Sequence, residues 1–197
     1  MVLVIDTSSP RSALAVVRDG CPVAEDVREG GREQDLSRRV RALADPASLS
    51  AVAVSLGPGS FTGLRLGVSY GVGLAMGLRV PLLGLGSLEL QAARAPGPAI
   101  ALVDAGRGRV YWLAPGGEPR LGEPRELPAG LPSVGWLRDA TARAVEAAGV
   151  RLLPEGAGPG RARGFAEAAA GLAGHAVELG YDTVRLRYMQ AFRTAPE

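Results

Sequence analysis

The chain has 197 residues, of which 47 % are hydrophobic and 21 % charged, with a formal net charge of +2; this is an ordinary folded composition, long enough to bury a core. All 22 basic residues are arginine, which excludes a P-loop lysine, a Schiff base and a lysine general base. A single cysteine, Cys21, and a single histidine, His175, exclude an intrachain disulfide, a cysteine-cluster metal site and a histidine pair on a metal.

Residues 1–6 read as a short apolar strand ending in Asp6, followed by a turn-prone TSSPR. Asp6 follows only four apolar residues, so we expect no signal peptide. Residues 12–20 predict a second strand, Asp19-Gly20 a hairpin turn, and residues 21–27 a third strand with Cys21 in the core. Gly30-Gly31 then breaks the chain. Residues 32–44 predict an amphipathic helix with Leu36, Val40 and Leu43 on one face. Arg32, Arg38, Arg39 and Arg41 form its solvated side, and Asp45-Pro46 ends it.

Residues 48–57 predict a buried strand that feeds the dominant stretch of the chain, 57–81. A Gly-Pro-Gly turn there is followed by Ser60 as a helix N-cap. From Leu64 to Leu78 the apolar residues alternate as in a strand, but strands usually run about 3 to 10 residues. We therefore read one buried helix, apolar all round. Interior glycines cost roughly 0.8 to 1 kcal/mol each relative to alanine, and this helix has Gly63, Gly67, Gly71, Gly73 and Gly77. Gly63, Gly67 and Gly71 form a ridge that suits tight packing inside the domain, a subunit interface, or an anion at the helix start. The run contains Arg65 and is short for a membrane span, so we expect a cytoplasmic protein with no membrane contact.

Residues 80–87 predict a strand and 88–94 a helix, giving a mixed sheet covered by helices. The APGPA stretch at 95–99 suggests a boundary, with a first lobe over 1–95 and a smaller one over 96–197. The second half repeats the opening pattern: an apolar strand ending in Asp104, a Gly/Arg turn, an aromatic strand and a Gly116-Gly117 hairpin. A strand within 128–136, a helix over 137–148, a Gly/Pro-rich loop over 152–163 and an alanine-rich helix over 164–179 follow. His175 reads as structural or exposed. A polar, aromatic tail with Arg185, Arg187 and Arg193 ends the chain.

Asp6-Thr7-Ser8 at a strand end can present hydroxyls and backbone N–H groups to phosphate, and Asp6 can hold a cation through water. Asp104 stands at the matching place in the second half, and both turns also read simply as self-capped. No serine, histidine and acid combine into a catalytic set, and GPGSFTG lacks the Lys-Ser/Thr ending of a Walker motif.

GPGSFTGLRLGVS at 57–69, together with VIDTS at 4–8, VPLLGLGSLE at 80–89 and DAGRGRVYW at 104–112, resembles the TsaB (YeaZ) family. The resemblance covers the first 112 residues and returns weakly at Tyr188-Met189. It implies an α/β, actin-like, sugar-kinase and Hsp70 (ribonuclease H-like) fold of two duplicated lobes. It further implies a non-catalytic subunit that pairs with TsaD in threonylcarbamoyl transfer to adenosine 37 of tRNAs reading ANN codons. TsaD would hold the metal and nucleotide, TsaE would join as an ATPase using ATP and magnesium, and tRNA would be met through the complex. On this reading Ser60, Gly63, Leu64, Gly67, Val68, Tyr70, Gly71 and Leu74 form the partner interface. The same surface makes a homodimer when the chain is alone. Asp6, Thr7, Ser8 and Asp104 become a vestigial nucleotide or cation site, with no cofactor tightly bound and no metal. The sequence departs from the family pattern at Gln34-Asp35, Val72 and Gln190. The alternative is a free-standing ATP-dependent small-molecule kinase of the same fold.

Overall fold

A computed structural model describes residues 1–29 and 35–187. Gly30-Gly31, Arg32, Gln34, Tyr188, Met189, Gln190 and Arg193 lie outside the described residues. Strand β1 (Val2–Asp6) pairs antiparallel with β2 (Arg11–Arg18), and β2 with β3 (Cys21–Glu29). Asp19 and Gly20 both take positive φ, 51° and 73°, as a two-residue hairpin of this hand requires. Helix α1 (Leu36–Leu43) is capped by Asp35, whose Oδ1 accepts from the Arg38 N–H at 2.8 Å. Strand β4 (Ala51–Ser55), helix α2 (Phe61–Leu78), strand β5 (Leu82–Leu85) and helix α3 (Ser87–Ala93) follow, with β1, β4 and β5 parallel.

The second half opens with another antiparallel meander, β6 (Ile100–Gly106), β7 (Arg109–Leu113) and β8 (Arg120–Gly122). Strand β9 (Ser133–Val134) lies parallel to β6, and helix α4 (Asp139–Ala147) follows. The orders β4-β1-β2-β3 and β9-β6-β7-β8 are the same topology used twice, so the internal echo in the sequence is a duplication of architecture. The first strand of each ladder carries an acid near its C-terminal end, Asp6 closing β1 and Asp104 two residues before the end of β6.

Five layers result. Strands β1, β2 and β4 are apolar on both faces, as strands covered on both sides are. Leu3, Ile5, Leu14, Val16, Val52 and Val54 meet α1 and α2. From the opposite face Val4, Ala13, Ala15, Val17 and Ala53 meet Leu90 of α3 and Phe165, Ala166 and Ala169 of α5 (Phe165–Leu172). Helix α3 also packs on β6 and β7, while α4 covers the far face of that second sheet.

Several expectations are corrected. The helix foreseen over 164–179 stops at Leu172, and Val177–Leu179 becomes β10, antiparallel to β5 at the edge of the first sheet. Its Leu179 fits where Gly84 has no side chain, since a Cβ there would stand 3.0 Å from Leu179 Cδ1. Residues 165–179, assigned from sequence to the second lobe, therefore pack on and extend the first. Cys21 is exposed rather than core, because it starts an edge strand. Arg39 is buried rather than solvated, because it shares the inward face of α1 with Leu36 and Val40. Helix α2 buries only one side, Leu64, Gly67, Val68, Gly71 and Ala75, so it is not enclosed all round. Among the described residues no helix is long and apolar enough to cross a membrane.

Candidate partner-binding helix and the paired acidic turns

The turn before α2 is built onto the turn after β1. Ser60 N–H donates to the Ser8 carbonyl at 2.7 Å, and Gly59 leaves no room for a side chain against Ser8. The Ser60 hydroxyl accepts from the Gly63 N–H at 3.2 Å, which makes it the N-cap the sequence predicts. Thr7 Oγ1 donates to the Gly63 carbonyl at 2.7 Å, one turn into the helix.

The glycine ridge points the same way. A Cβ on Gly63 would run into the Thr7 carbonyl, one on Gly67 into Thr7 Oγ1, and one on Gly71 into Val54 Cγ1. The ridge thus seats α2 on β1 and β4 of its own chain. The interface role expected for Gly63, Gly67 and Gly71, and for the buried Leu64 and Val68, is corrected: these residues face inward because the close approach they permit is already made by strands. Tyr70 and Leu74 are half-buried and join the core on that side. Tyr70 faces Ser37 of α1, and burial pushes its phenol up.

What α2 presents outward is a different set. Thr62, Arg65, Leu66, Ser69, Gly73, Met76 and Gly77 are exposed, with Leu66 at 40 % and Met76 at 53 %. A Cβ on Gly73 or Gly77 would meet nothing within 4 Å, so nothing within the chain requires glycine at either position. The spacing rule could have found this stripe, because residues 62, 66, 69, 73 and 77 share one helical face. The alternation of large apolar residues obscured it.

The first acidic turn is closed over. Asp6 and Ser8 are fully buried and Thr7 nearly so. Asp6 Oδ1 accepts from Ser55 Oγ at 2.7 Å and from the Ser8 N–H at 2.9 Å, while Oδ2 has no partner among the described residues. Burial raises the Asp6 pKa, against the lowering effect of those hydrogen bonds. The second turn differs. Asp104 Oδ1 accepts from the Gly106 N–H at 2.8 Å and from Arg138 Nη1, and its Oδ2 accepts from the Arg138 N–H at 3.2 Å. Both acids are therefore engaged in shaping their own loops. Among the described residues no three His, Cys, Asp or Glu side chains gather as a metal-holding group.

One buried cation went unnoticed in the sequence. Arg94, 1 % exposed, donates to the Arg163 carbonyl at 3.1 Å, to Gln91 Oε1 at 2.9 Å and to Glu155, and it stacks on Trp136 at 4.2 Å. It borders a cavity of about 380 Å³ whose other arginines, Arg11 and Arg28, pair with Glu29 and Asp26. Each arginine of this cavity is matched by a carboxylate.

A family model described as TsaD, tRNA N6-adenosine threonylcarbamoyltransferase, matches residues 41–128. The tRNA threonylcarbamoyladenosine biosynthesis protein TsaB of Escherichia coli is 34 % identical over 125 residues, 56 % of this chain and 53 % of that protein. TsaB of Bacillus subtilis is 33 % identical over 120 residues, covering 56 % of this chain and 52 % of that one. The match spans about half the length of these curated relatives. Among solved structures, YeaZ from Pseudomonas aeruginosa superposes with a TM-score of 0.70 at 23 % identity, over 95 % of this chain and 99 % of that one; this likeness establishes the two-lobe fold.

Proposed function

We propose that the chain, similar over about half its length to TsaB proteins, is a TsaB-type non-catalytic subunit in tRNA threonylcarbamoyladenosine synthesis. It pairs with TsaD and holds that partner in the form that transfers threonylcarbamoyl to N6 of adenosine 37 in tRNAs reading ANN codons. TsaE, with ATP and magnesium, acts on the assembled pair, and tRNA is met by the complex.

The observation that carries this reading is the outward face of α2. Leu66 and Met76 are exposed there, and a Cβ on Gly73 or Gly77 would meet nothing within 4 Å among the described residues. Each of these glycines costs the helix roughly 0.8 to 1 kcal/mol relative to alanine, without an internal neighbour to explain it. A second helix approaching closely across them supplies the missing reason. The partner surface is thus moved from the inward ridge to the opposite side of the same helix. The kinase alternative is poorly served by the acidic turns: Asp6 is fully buried with its Oδ1 held by Ser55 and the Ser8 N–H, and Asp104 is held by Arg138.

Reconstituted tRNA modification with and without the chain tests the reading. We expect product to depend on the chain, and Leu66→Glu/Met76→Glu to lose at least about tenfold of that activity, as a disrupted interface centre does. The thermal melt of this variant should match that of the native chain. Equal modification in the absence of the chain would overturn the proposal.

A further inference from the structure

The cavity beside Arg94 is lined from both halves of the chain, and neither acidic turn lines it. At about 380 Å³ it falls within the range of small-molecule sites, roughly 300 to 1,000 Å³. Val27, Trp136 and Phe165 give it an apolar wall, on which Arg11 and Arg94 also stand. Arg94 is fixed by groups that carry no charge: Nε donates to the Arg163 carbonyl, Nη1 donates to Gln91 Oε1, and the guanidinium lies over the Trp136 ring. Its Nη2 meets the carboxylate of Glu155, a side chain 43 % exposed. Arg11 is paired in the same manner with Glu29, 75 % exposed. A third acid of the wall, Glu25, accepts from the Ala166 N–H at 2.7 Å.

Burial lowers the Arg94 pKa, Glu155 raises it, and the charge of Arg11 lowers it again. Two guanidinium groups within reach of one another are a costly way to tie two layers, since well-packed apolar side chains do so at least as well. They suit a ligand that carries two negative charges. We propose that this cavity binds a small dianionic oxyanion, the chemistry shared by phosphate monoesters and short dicarboxylates, and that the Glu155 carboxylate is an internal stand-in which the ligand displaces from Arg94. Displacement moves a side chain and not its loop: the Glu155 carbonyl is held by Arg161, whose Nε and Nη2 donate to it at 2.9 and 2.6 Å. Arg94 keeps its uncharged partners throughout, so its planar fork is already set for the incoming oxygens. Arg11 exchanges the exposed Glu29 in the same way. The charge balances, because two arginines release two carboxylates and take one dianion.

The test is calorimetric titration of the full chain with inorganic phosphate and, separately, with succinate, both at constant ionic strength. The two arms tell a phosphate site from a dicarboxylate site, and we expect saturable binding of one of them. Glu155→Gln should bind it at least about tenfold more tightly, because the competitor for a charge-assisted hydrogen bond is gone. Arg11→Gln should bind it at least about tenfold more weakly, because one such bond is lost. Glu155→Asp keeps the negative charge but draws the carboxylate back by one methylene, so it should tighten binding even where Glu155→Gln fails to fold. Affinity unchanged in Arg11→Gln marks an adventitious ion only. Equal affinity in the native chain and the Glu155 variants makes Glu155 a strut. Either result, or the absence of binding in all of them, overturns the proposal. The titrations contain no TsaD, so their outcome is separate from that of the pairing proposed above.

Discussion

Gly63 and Gly73 sit on the same helix and are glycine under opposite constraints. A Cβ at Gly63 would strike the Thr7 carbonyl, backbone that cannot swing aside, whereas one at Gly73 would stand in open space. Gly63→Ala should therefore lower stability by about 2 to 3 kcal/mol, the upper range of overpacking, and Gly73→Ala should raise it by up to about 1 kcal/mol. Urea midpoints of the two variants measure both signs. By the same reasoning Gly67→Leu drives a side chain into Thr7 and Ile5 and damages the fold itself. Asp6 gives a second residue-scale expectation. Its folded pKa is raised from the ordinary 3.8, first by burial, so the native state holds this proton at pH values where the unfolded chain has released it. Stability from this group is full below the unfolded value, declines as pH rises between the unfolded and folded values, and is flat above. Asp6→Asn keeps an oxygen for Ser8 and Ser55 but has no proton to release. The stability difference favouring the variant should grow as urea midpoints are followed from about pH 4 to about pH 7.

At the scale of elements, α1 is fastened to the first sheet by one side chain. Arg39 reaches Ser12 Oγ at 2.5 Å, the Ser12 and Asp26 carbonyls each at 3.0 Å, and Asp26 Oδ2 at 3.2 Å. Burial alone would raise the Asp26 pKa, but hydrogen bonds from Arg28 and Arg39 outweigh it and hold the carboxyl below its ordinary value. Arg39→Met should cost about 3 kcal/mol, since it strands polar groups of a largely buried pair, while Arg38→Met, on the solvent side, should stay within about 0.5 kcal/mol. Chemical denaturation of the two variants separates a fastening role from a solvated one. The sequence held the means to distinguish these neighbours: Leu36, Arg39, Val40 and Leu43 follow the spacing of a single helical face. The charge of Arg39 points to solvent and its spacing points inward, and the spacing prevails because Ser12 and Asp26 supply acceptors there. The Asp19-Gly20 hairpin, the Ser60 cap and both meanders were legible because each rests on local chemistry. The orientation of the glycine ridge was not, because whether Gly67 meets a strand of its own chain or a second protein depends on where β1 and β4 pass. Nor was β10, whose residues carry a weak local preference and become a strand only because β5 offers an unpaired edge beside Gly84.

At the scale of the molecule, the boundary read at 95–96 marks the start of the second sheet but does not divide the packing. The inner face of the first sheet, with Val4, Ala13, Ala15, Val17 and Ala53, is covered by Phe165, Ala166 and Ala169 from the far end of the chain. Arg94 adds a polar tie across the same layer through Gln91, Glu155 and the Arg163 carbonyl. A fragment of residues 1–95 would keep α1, α2 and the outer face of the sheet intact while exposing this inner face and the β5 edge. Contiguous apolar surface of that kind drives association in a soluble chain, and an uncovered strand edge gives it a template. We therefore expect the fragment to aggregate or to unfold without a cooperative transition, and the full chain to melt in a single calorimetric step. Co-expression with residues 96–197 should restore a folded complex, because it returns α5 and β10 to the sheet. A dispersed amide spectrum and a sharp melt from residues 1–95 alone would show instead that α1, α2 and the outer core suffice, and that the returning helix serves the second lobe rather than the first.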